Sequence, residues 1–558
     1  MPTVSAHVAA ALSRHLSTVF GIMGHGNAHF LDALTTDTHV GFVAVRHEAA
    51  GVVAADAHYR AGAGLAAATA TYGAGFTNTL TALAEAVLAR TPLVLVVGDE
   101  PTSGPRPWDV DQIALASAVG ARTYTAGHED AAATALIAVE HALAYRVPVV
   151  LALPHDVASR EAGPIPDIPE PSLPAPLAPS QFTRARVREL AERLTRAERP
   201  VLLAGRGAWL SGAGPLLDEL AAATGALTTT SALGRGLFGD ASADLGVAGG
   251  FGAEGAMELV READVAVVVG AALNQFTMRF GELFAPATHV AQIDVAPAAT
   301  HPHVSAYLRG DARLVLELLL AELRSLGSAP ATWRSRVDLD AARRRDAGSG
   351  IAPDGRLDPR SAAVRLAELL PADRVVVSDG GHFMGWANMY WPVASPDRMI
   401  MVGTAYQSIG LGFPSVAGAA LARPESAIVL ATGDGGGLMA LPDLETAVRV
   451  AGGRGVAVVW NDAAYGAEVA VYGPQGLAPE PMLIPEVDFA ALAAAVGAEG
   501  VVVRRAEDLD ALAAWTARPA AERRFLLLDL RISPTIFAPY QEEILAAHLA
   551  AAGAWRRD

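Results

Sequence analysis

The stretch of sequence that decides the fold begins with Gly433-Asp434-Gly435. It ends with Asn461-Asp462-Ala463-Ala464-Tyr465-Gly466. Each motif follows a short run of apolar and β-branched residues, 426–432 and 455–460, that has the length of a buried strand. Residues 441–450, between the motifs, have the apolar spacing of a helix. Because glycine accepts backbone conformations that other residues avoid, the first motif predicts a sharp turn. The stretch therefore predicts a strand, a turn, a helix, a strand and a second turn.

Asp434 and Asp462 stand directly after these two predicted strands. In an open parallel sheet the carboxyl ends of neighbouring strands lie side by side, so we expect the two carboxylates to meet although they are far apart in sequence. Two carboxylates and a loop carbonyl suit Mg²⁺, which prefers oxygen ligands and often bridges to a phosphate group. The stretch therefore predicts a magnesium site.

Composition and charge exclude several classes of function. A chain of 558 residues is long enough for roughly three to four domains with large cores. The formal net charge of −17 argues against a nucleic-acid surface. The apolar stretches are too short or too interrupted for a membrane span, and the N-terminus lacks the pattern of an export signal, so we expect a cytoplasmic protein.

Two residue types are missing from the sequence, cysteine and lysine. The first absence excludes disulfides, thiol nucleophiles and cysteine-ligated metals. The second excludes a pyridoxal phosphate Schiff base and a Walker-type phosphate loop, which both need a lysine. The chemistry must therefore rest on histidines, carboxylates, amides, the backbone or a bound cofactor.

Strands and helices also alternate near the start of the chain. Residues 18–23 predict a buried strand, the turn Gly24-His25-Gly26-Asn27 follows it, and a second strand over 39–45 leads into Arg46-His47-Glu48. This alternation predicts a doubly wound parallel sheet. Glu48 then lies at the carboxyl end of a strand, where open α/β sheets bind their ligands.

The stretch from Gly433 to Gly466 resembles the diphosphate-anchoring motif of thiamine diphosphate (ThDP) enzymes, which begins with GDG and ends about two dozen residues later with NN. By this resemblance Asp434, Asp462 and the carbonyl of Ala464 are the Mg²⁺ ligands. Asp462 replaces the second Asn of the motif, which adds negative charge to the site. The alternative is an ordinary turn between a strand and a helix.

Residues 46–50 and 71–78 look like the pyrimidine-binding domain of the acetolactate synthase and benzaldehyde lyase group. The resemblance implies that Glu48 hydrogen-bonds N1′ of the aminopyrimidine ring and promotes the tautomer that takes the proton from thiazolium C2. A carboxyl group in an apolar pocket has a raised pKa and suits this role. The alternative is a carboxylate that only favours the N-terminus of a helix.

His25 and Gln112 are the candidate residues for substrate chemistry. The Gly-His-Gly-Asn turn is similar to that of ring-opening hydrolases of cyclic 1,2-diones, such as trihydroxycyclohexanedione hydrolase, in which an imidazole beside the reacting carbon could shuttle protons. Alternatively, His25 caps the following helix. By resemblance, the counterpart of Gln112 in several relatives, often a glutamine, reaches the substrate side of the cofactor; the alternative is a surface amide.

The resemblance also implies a set of cofactor-binding residues. Ile409 falls where a bulky apolar residue lies under the thiazolium ring and holds the cofactor bent; the alternative is an ordinary buried isoleucine. The set as a whole comprises Gly73, Asn78, His382, Phe383, Ile409, Gly433, Gly435, Tyr465 and Gly466.

The pattern of elements predicts an α/β protein of three doubly wound parallel-sheet domains with two connections. The first connection contains seven prolines between Glu161 and Ser180. The expected divisions are a pyrimidine-binding domain (1–160), a proline-rich linker (161–181), a central domain (182–326), a second linker (327–357) and a diphosphate-binding domain (358–558).

The central domain of this family holds FAD in some members and ADP or nothing in others. Gly270-Ala271-Ala272-Leu273-Asn274 departs from the pattern of the flavin-binding synthases and looks more like the flavin-free acyl-CoA lyases. The glycines around Arg206 are too few to decide. We therefore expect ThDP and Mg²⁺ as cofactors. For the central domain we favour the absence of FAD over its presence.

The resemblance implies a ThDP- and Mg²⁺-dependent lyase or transferase of the acetolactate synthase-like branch. It would make or break a C–C bond next to the carbonyl of a 2-keto acid or 2-hydroxyketone, as a lyase or carboligase, through an acyl-anion equivalent. Alternatives are a ring-opening hydrolase of a cyclic 1,2-dione, and a non-catalytic regulatory or binding subunit. We expect a homodimer or homotetramer with active sites at subunit interfaces, a small-molecule substrate, and no nucleic-acid or membrane partner.

Overall fold

Parallel strands form the framework of the protein. The computed structural model describes residues 1–327 and 329–555, and within them the named strands form three parallel sheets of six strands each. Helices flank the sheets, so the chain has the α/β fold with three doubly wound units that the sequence predicts. A separate finding is that the described part of the chain contains no helix of the length and apolarity needed to cross a membrane.

The first unit contains the candidate residues near the start of the chain. Its strands are β1 (Thr18–Gly21), β2 (Gly41–Ala44), β3 (Ala67–Ala70), β4 (Leu93–Asp99), β5 (Arg122–Thr125) and β6 (Pro148–Pro154), in the sheet order β2-β1-β3-β4-β6-β5. Its helices are α1 (Val4–Ser13), α2 (Ala28–Asp37), α3 (Glu48–His58), α4 (Ala74–Thr77), α5 (Leu80–Leu88), α6 (Gln112–Ala118) and α7 (Ala131–Tyr145). β4 and β6 are buried throughout, as expected for strands covered on both faces.

The central unit begins at Gln181, after an extended connection without regular structure. Its strands are β7 (Pro200–Ala204), β8 (Leu227–Thr230), β9 (Asp244–Val247), β10 (Val265–Val269), β11 (His289–Asp294) and β12 (Val304–Arg309), in the order β12-β11-β10-β7-β8-β9. Its helices are α8 (Gln181–Leu194), α9 (Arg206–Leu210), α10 (Gly214–Thr224), α11 (Glu254–Arg261) and α12 (Ala312–Leu326), and α13 (Leu339–Ala342) lies in the second connection.

The third unit contains the Gly433–Gly435 and Asn461–Gly466 motifs. Its strands are β13 (Arg374–Ser378), β14 (Met399–Met401), β15 (Ala427–Gly433), β16 (Gly455–Asn461), β17 (Glu499–Val503) and β18 (Leu526–Arg531), in the order β14-β13-β15-β16-β18-β17. Its helices are α14 (Pro359–Leu369), α15 (Met384–Tyr390), α16 (Gly412–Ala422), α17 (Asp434–Met439), α18 (Leu444–Ala451), α19 (Gly466–Tyr472), α20 (Phe489–Ala495), α21 (Asp510–Ala517) and α22 (Tyr540–Trp555).

The first and third sheets have the same strand order, so the two units are built alike. In each sheet the chain reverses its winding direction beside the first strand of the unit, between β1 and β3 and between β13 and β15. Open α/β sheets bind ligands at such points, outside the carboxyl ends of the strands. Each unit therefore presents one ligand-binding edge.

α3 of the first unit packs along α16 of the third, and the two units share one hydrophobic core. A Cβ atom on Gly418 would lie 1.9 Å from the carbonyl oxygen of Ala54, so only glycine allows this approach. Directly after the C-terminal end of α16, Nε of Arg423 donates over 2.7 Å to the carbonyl of Ala61, which follows the C-terminal end of α3. The contacts advance together along both helices, so the helices run in the same direction and their N-terminal ends lie on the same side.

A buried ion-pair cluster joins the same two units. Nε of Arg60 donates to Asp56 over 2.6 Å, and Nη2 donates to Glu85 over 3.1 Å. Nη1 of Arg60 donates to the carbonyl of Met401, in the third unit, over 2.8 Å. Because the charges are paired and hydrogen-bonded, the cluster fixes how the two units dock.

Candidate functional site

Three aspartates end neighbouring strands of the third sheet. Asp379 follows β13, Asp434 follows β15, Asp462 follows β16, and all three side chains are buried. Burial, and then the charge of Asp462, raises the pKa of Asp434 to about 7. The carboxylates of Asp434 and Asp462 are therefore close enough to repel each other, and a bound cation would relieve that repulsion.

Asp462 uses one carboxylate oxygen within the protein and leaves the other free. Nε2 of His382 lies 3.0 Å from Oδ2 of Asp462. Burial lowers the pKa of His382, but the hydrogen bond and the charge of Asp462 outweigh burial and raise it overall. Oδ1 of Asp462 is buried and has no hydrogen-bond partner among residues 1–327 and 329–555. A buried carboxylate oxygen without a partner is costly unless a ligand completes it.

The turn after Asp462 presents a third oxygen. Ala463 has a left-handed φ of 60°, which is unusual for a residue other than glycine. N of Tyr465 donates to the carbonyl of Met482, whereas the carbonyl of Ala464 accepts no hydrogen bond from the residues that the structure describes. Two carboxylates, one of them with an orphan oxygen, and a free carbonyl form a donor set that fits a hard divalent cation such as Mg²⁺.

The glycines of the motif are required for close packing. Gly433 has a φ of −92°, and Gly435 lies within α17, so the sharp glycine turn that the sequence predicts is absent: strand β15 runs straight into α17. A Cβ atom at Gly433 would lie 2.8 Å from the ring of Phe383, and one at Gly435 would lie 2.8 Å from the ring of Tyr465. At Gly466 a Cβ atom would lie 2.4 Å from the ring of His382. A side chain at any of these positions would disrupt the walls of the site.

Asp379 is a site residue that the sequence did not reveal. It accepts hydrogen bonds from N of Gly380 (2.8 Å), N of Leu411 (3.1 Å) and the hydroxyl of Thr432 (3.0 Å). Burial raises the pKa of Asp379 to about 6 despite these donors. Asp379 thus joins its own loop, the loop before α16 and the end of β15 at the carboxyl edge. Its place directly after the β-branched run 374–378 was the available signal.

Ile409 lies in the loop before α16, beside the loop that follows Asp379. A Cβ atom on Gly380 would lie 3.2 Å from its Cγ2 atom. The side chain is half-buried. Part of Ile409 is therefore available to a ligand, unlike an ordinary core isoleucine.

Glu48 and Asn78 meet at the carboxyl edge of the first sheet. Glu48 is the first residue of α3, and the side chain of His47 caps that helix. Nδ2 of Asn78 donates to Oε2 of Glu48 over 2.9 Å. Glu48 is half-buried and Asn78 is exposed, so a ligand can reach the pair.

Gln112 is buried, which contradicts the alternative of a surface amide. Its Oε1 accepts from N of Gly73 over 2.9 Å, and its Nε2 donates to the carbonyl of Gly98 over 2.9 Å and to Oδ1 of Asp99 over 3.1 Å. Gly73 has a φ of 59°, a conformation that favours glycine. The amide of Gln112 therefore holds the Gly73 turn in place.

His25 is exposed and does not cap the following helix. The residue before α2 is Asn27, whose Oδ1 accepts a hydrogen bond from N of Gly24 over 2.8 Å. The imidazole ring of His25 lies 4.5 Å, centroid to centroid, from the ring of His155, and 6.3 Å from the ring of Tyr72. His25 is thus part of an aromatic cluster that sequence reasoning missed, because its members come from distant loops.

The site residues form two groups. The first contains Glu48, Asn78, Gln112, Gly73 and His25, on the first sheet. The second, on the third sheet, contains Asp434, Asp462, Ala464, His382, Phe383, Ile409, Gly433, Gly435, Tyr465 and Gly466. Among the described residues no hydrogen bond or ion pair joins the groups directly. The parallel packing of α3 and α16 places the N-terminus of α3, at Glu48, on the same side as the loop of Ile409.

Family models match all three units. The model described as "Thiamine pyrophosphate enzyme, N-terminal TPP binding domain" matches residues 2–115. The model of the central domain of these enzymes matches residues 187–319, and that of the C-terminal TPP binding domain matches residues 379–530. Together the three matches cover most of the chain.

Curated relatives align over nearly the whole length. The large subunit of acetolactate synthase isozyme 3 from Escherichia coli is 27% identical over 557 residues, covering 94% of each chain. Acetolactate synthase from Mycobacterium avium is 27% identical and covers 95% of this chain and 89% of its own. Sulfoacetaldehyde acetyltransferase from Roseovarius nubinhibens is 26% identical and covers 99% of this chain and 96% of its own.

Proposed function

The chain belongs to the thiamine pyrophosphate (thiamine diphosphate, ThDP) enzyme family, and on this premise we propose that it is a ThDP- and Mg²⁺-dependent lyase or transferase. It makes or breaks a C–C bond next to a carbonyl, with a 2-keto acid or 2-hydroxyketone as substrate. Relatives named acetolactate synthase and sulfoacetaldehyde acetyltransferase support this class of reaction. A cytoplasmic location stays a prediction.

One observation carries the proposal: the orphan Oδ1 of Asp462 beside the buried carboxylate of Asp434 and the free carbonyl of Ala464. These oxygens would hold Mg²⁺, and the cation would bind the diphosphate group.

The first unit supplies the proton-handling groups. When bound, ThDP provides the nucleophilic carbon that adds to a substrate carbonyl. Glu48 would hold a proton at one carboxyl oxygen, while the 2.9 Å hydrogen bond from Asn78 fixes the other oxygen. His25 would donate a proton to, or accept one from, the substrate oxygen, because its ring is exposed and does not serve as a cap.

His25 also supports a second candidate function, ring-opening hydrolysis of a cyclic 1,2-dione. An imidazole ring that makes no hydrogen bond within the protein can orient a water molecule or give a proton to the carbon of the broken bond. The third candidate, a non-catalytic subunit, has less support, because such a subunit has no need of the Glu48–Asn78 pair.

We propose that the central unit works without flavin. Its sheet changes winding direction between β7 and β10, where such a sheet would bind a nucleotide. N of Gly207 donates to the carbonyl of Gly270 over 2.9 Å, and a Cβ atom on Gly205 would lie 2.5 Å from that same oxygen. The loops after β7 and β10 therefore pack against each other in the crevice where a nucleotide would bind. The visible absorbance of the purified protein tests this: a flavin spectrum in stoichiometric amount contradicts it.

We also propose a homo-oligomer whose sites combine two copies, as the resemblance implies. Exposed apolar side chains occur near both groups of site residues. We call them the apolar rims: Met23, Trp108 and Ile113 on the first unit, and Tyr406 and Met439 on the third. Exposed apolar patches of this kind support contact with a further copy.

The proposed function is tested by proton NMR with the purified protein, ThDP and Mg²⁺. Pyruvate, benzoin and cyclohexane-1,2-dione are incubated separately, with a cofactor-free control for each. Cofactor-dependent consumption of pyruvate or benzoin supports the lyase or transferase, and consumption of the dione alone supports the hydrolase. If ThDP binds and none of a wider panel of ketones is consumed, the proposed function is wrong.

A further inference from the structure

Four aromatic and cationic side chains meet above the carboxyl edge of the first sheet. His25 follows β1, Tyr72 follows β3, Arg106 lies in the loop after β4, and His155 follows β6. The ring of His155 lies 4.5 Å from that of His25 and 6.1 Å from that of Tyr72, centroid to centroid. Arg106 stacks on the ring of Tyr72 with 4.0 Å between its Cζ atom and the centroid. The cluster forms one continuous wall beside the proposed proton-handling groups.

The only cation of this wall is already neutralised. Nε and Nη2 of Arg106 each donate to the carboxylate of Asp109 over 2.8 Å, and the backbone N of Arg106 donates to the same carboxylate over 2.8 Å. Asp109 is nearly fully buried and Arg106 mostly buried. Tyr72 covers one face of the guanidinium. A bidentate pair in this setting leaves little positive potential for a ligand.

The loops 22–27, 71–78 and 99–111 contain no other arginine, and the sequence contains no lysine. The loop after β6, which carries His155, contains Arg160, and this arginine is paired with Asp156 over 3.1 Å. Asp99 lies close by, and burial raises the pKa of its carboxyl group. An anionic group of a substrate would therefore lose its hydration here and meet carboxylates without gaining a free cation.

The polar groups that remain are imidazoles. Within the described residues the rings of His25 and His155 make no hydrogen bond to protein. Burial is the main cause that lowers the pKa of His155, and the nearby Arg106 lowers it further. Burial thus favours the neutral form of His155, and a neutral imidazole can donate to or accept from an uncharged oxygen.

We propose that this wall selects an uncharged, oxygen-bearing substrate group, such as an aldehyde, ketone or hydroxyketone, which binds to His25 and His155, and that the Asp109–Arg106 pair excludes carboxylates. The inference rests on the proposed function of the same site and narrows its substrates from 2-keto acids to neutral carbonyl compounds. His155 is then a specificity residue.

A matched pair of probes tests the selection without turnover. Benzamide and benzoate have nearly the same shape and differ in charge. We expect benzamide to bind the ThDP- and Mg²⁺-loaded protein at least about tenfold more tightly than benzoate, measured by ligand-observed NMR titration. Equal affinities, or tighter binding of benzoate, overturn the inference, and this comparison requires no variant.

The Asp109→Asn variant sharpens the test. It frees Arg106, so the preference should shift towards benzoate by at least about tenfold. Asp37→Asn is the matched control, because Asp37 is an exposed carboxylate of the same unit whose hydrogen bond comes from Thr36 and not from an arginine. Identical preferences in both variants contradict the role of the Asp109–Arg106 pair.

Kinetics distinguish a failure of this inference from a failure of the proposed function. With acetoin and pyruvate as substrates, the inference predicts a higher kcat/KM for acetoin. It also predicts that His155→Phe raises the KM for acetoin more than His155→Gln, which retains a hydrogen-bonding group. If neither compound nor any other ketone is consumed, the proposed function fails, while the benzamide and benzoate affinities still decide the selectivity of the wall.

Discussion

Glu48 is the residue on which the proposed proton transfer depends. Replacing it by glutamine keeps its shape and its contact with Asn78 but removes the ionisable proton. We expect Glu48→Gln to lower kcat by at least about 100-fold, the contribution typical of a general acid or base, while ThDP still binds. Turnover measured with excess ThDP and Mg²⁺, alongside calorimetric ThDP binding, checks both points.

The control for Glu48→Gln is Glu129→Gln, at an exposed carboxylate of the same unit. That change should leave kcat unaltered. A Glu48→Gln variant with the activity of the unmodified protein would remove Glu48 from the mechanism, whatever the metal site does.

Asp379 couples the stability of the third unit to pH. Burial raises its pKa from 3.8 to about 6, so the folded protein holds this proton more tightly than the unfolded chain does. The stabilisation that this proton provides is complete below the unfolded pKa and is lost as the pH rises through about 6. Asp379→Asn removes this titration. We therefore expect the Tm advantage of the unmodified protein over the variant to be larger at pH 4 than at pH 7, by differential scanning fluorimetry.

Asp373→Asn is the control for this pH dependence. Asp373 is an exposed carboxylate that directly precedes the N-terminal end of strand β13, whereas Asp379 follows its C-terminal end. Its Tm difference should not follow the same trend. A difference between the Asp379→Asn variant and the unmodified protein that stays constant from pH 4 to 7 would show that the buried proton does not contribute to stability.

The positions of Asp434 and Asp462 at neighbouring strand ends could be read from the sequence, whereas the wall around His155 could not. Asp434 and Asp462 are readable because each follows a β-branched strand, and the topology of a parallel sheet brings strand ends together. The His25, Arg106 and His155 cluster was missed because its members follow three different strands and interact through loop conformation, which has no sequence period. The glycines at 433 and 435 were identified for the wrong reason, since they avoid clashes instead of adopting a special φ.

At the scale of elements, strands with a clear local sequence pattern could be predicted, and strands without one could not. Residues 426–432 and 455–460 were predicted as strands and agree within one residue at each end with β15 and β16, because continuous apolar runs suit central parallel strands. β3 has the sequence AATA, and β5 has RTYT. Alanine is depleted in strands, so tertiary packing decides β3. Threonine and tyrosine favour strands, but β5 has only four residues and no continuous apolar run that would reveal it.

The packing of α3 on α16 is the element contact on which the site depends. A Cβ atom on Gly418 would lie 1.9 Å from the carbonyl of Ala54 and 2.9 Å from N of His58, both backbone atoms that cannot rotate away. We expect Gly418→Ala to push the helices apart, to destabilise the protein by about 3 kcal/mol or more, and to lower the activity. Thermal unfolding and turnover measure the two effects.

Gly473→Ala is the matched control, because a Cβ atom there meets nothing within 4 Å and its backbone conformation is helical. It should be neutral or slightly stabilising. If Gly418→Ala unfolds at the same temperature as Gly473→Ala, the close helix contact does not hold the two units together.

At the scale of the whole molecule, the question is which copy supplies each half of the site. In the described chain the first and third units pack on each other through α3 and α16. Residues 163–180 of the first connection form no regular element, and a connection of this length spans up to roughly 60 Å when extended. The same complementary surfaces can therefore pair within one copy or be exchanged between two copies.

Two inactive variants decide between these assemblies. We propose exchange between copies, so the Glu48 of one copy serves the Asp434 of the other. Glu48→Gln and Asp434→Asn chains with different tags are co-expressed, and the mixed dimer is isolated through both tags. Exchange leaves one site intact and places both substitutions in the other site, so the mixed dimer should regain about half of the activity of the unmodified dimer.

Each variant purified alone should stay inactive, which is the control for contamination. A mixed dimer without activity would mean that each chain builds its own site from its own two units, through the α3 and α16 contact seen within the chain, and the interface between copies would then serve only to cover the apolar rims.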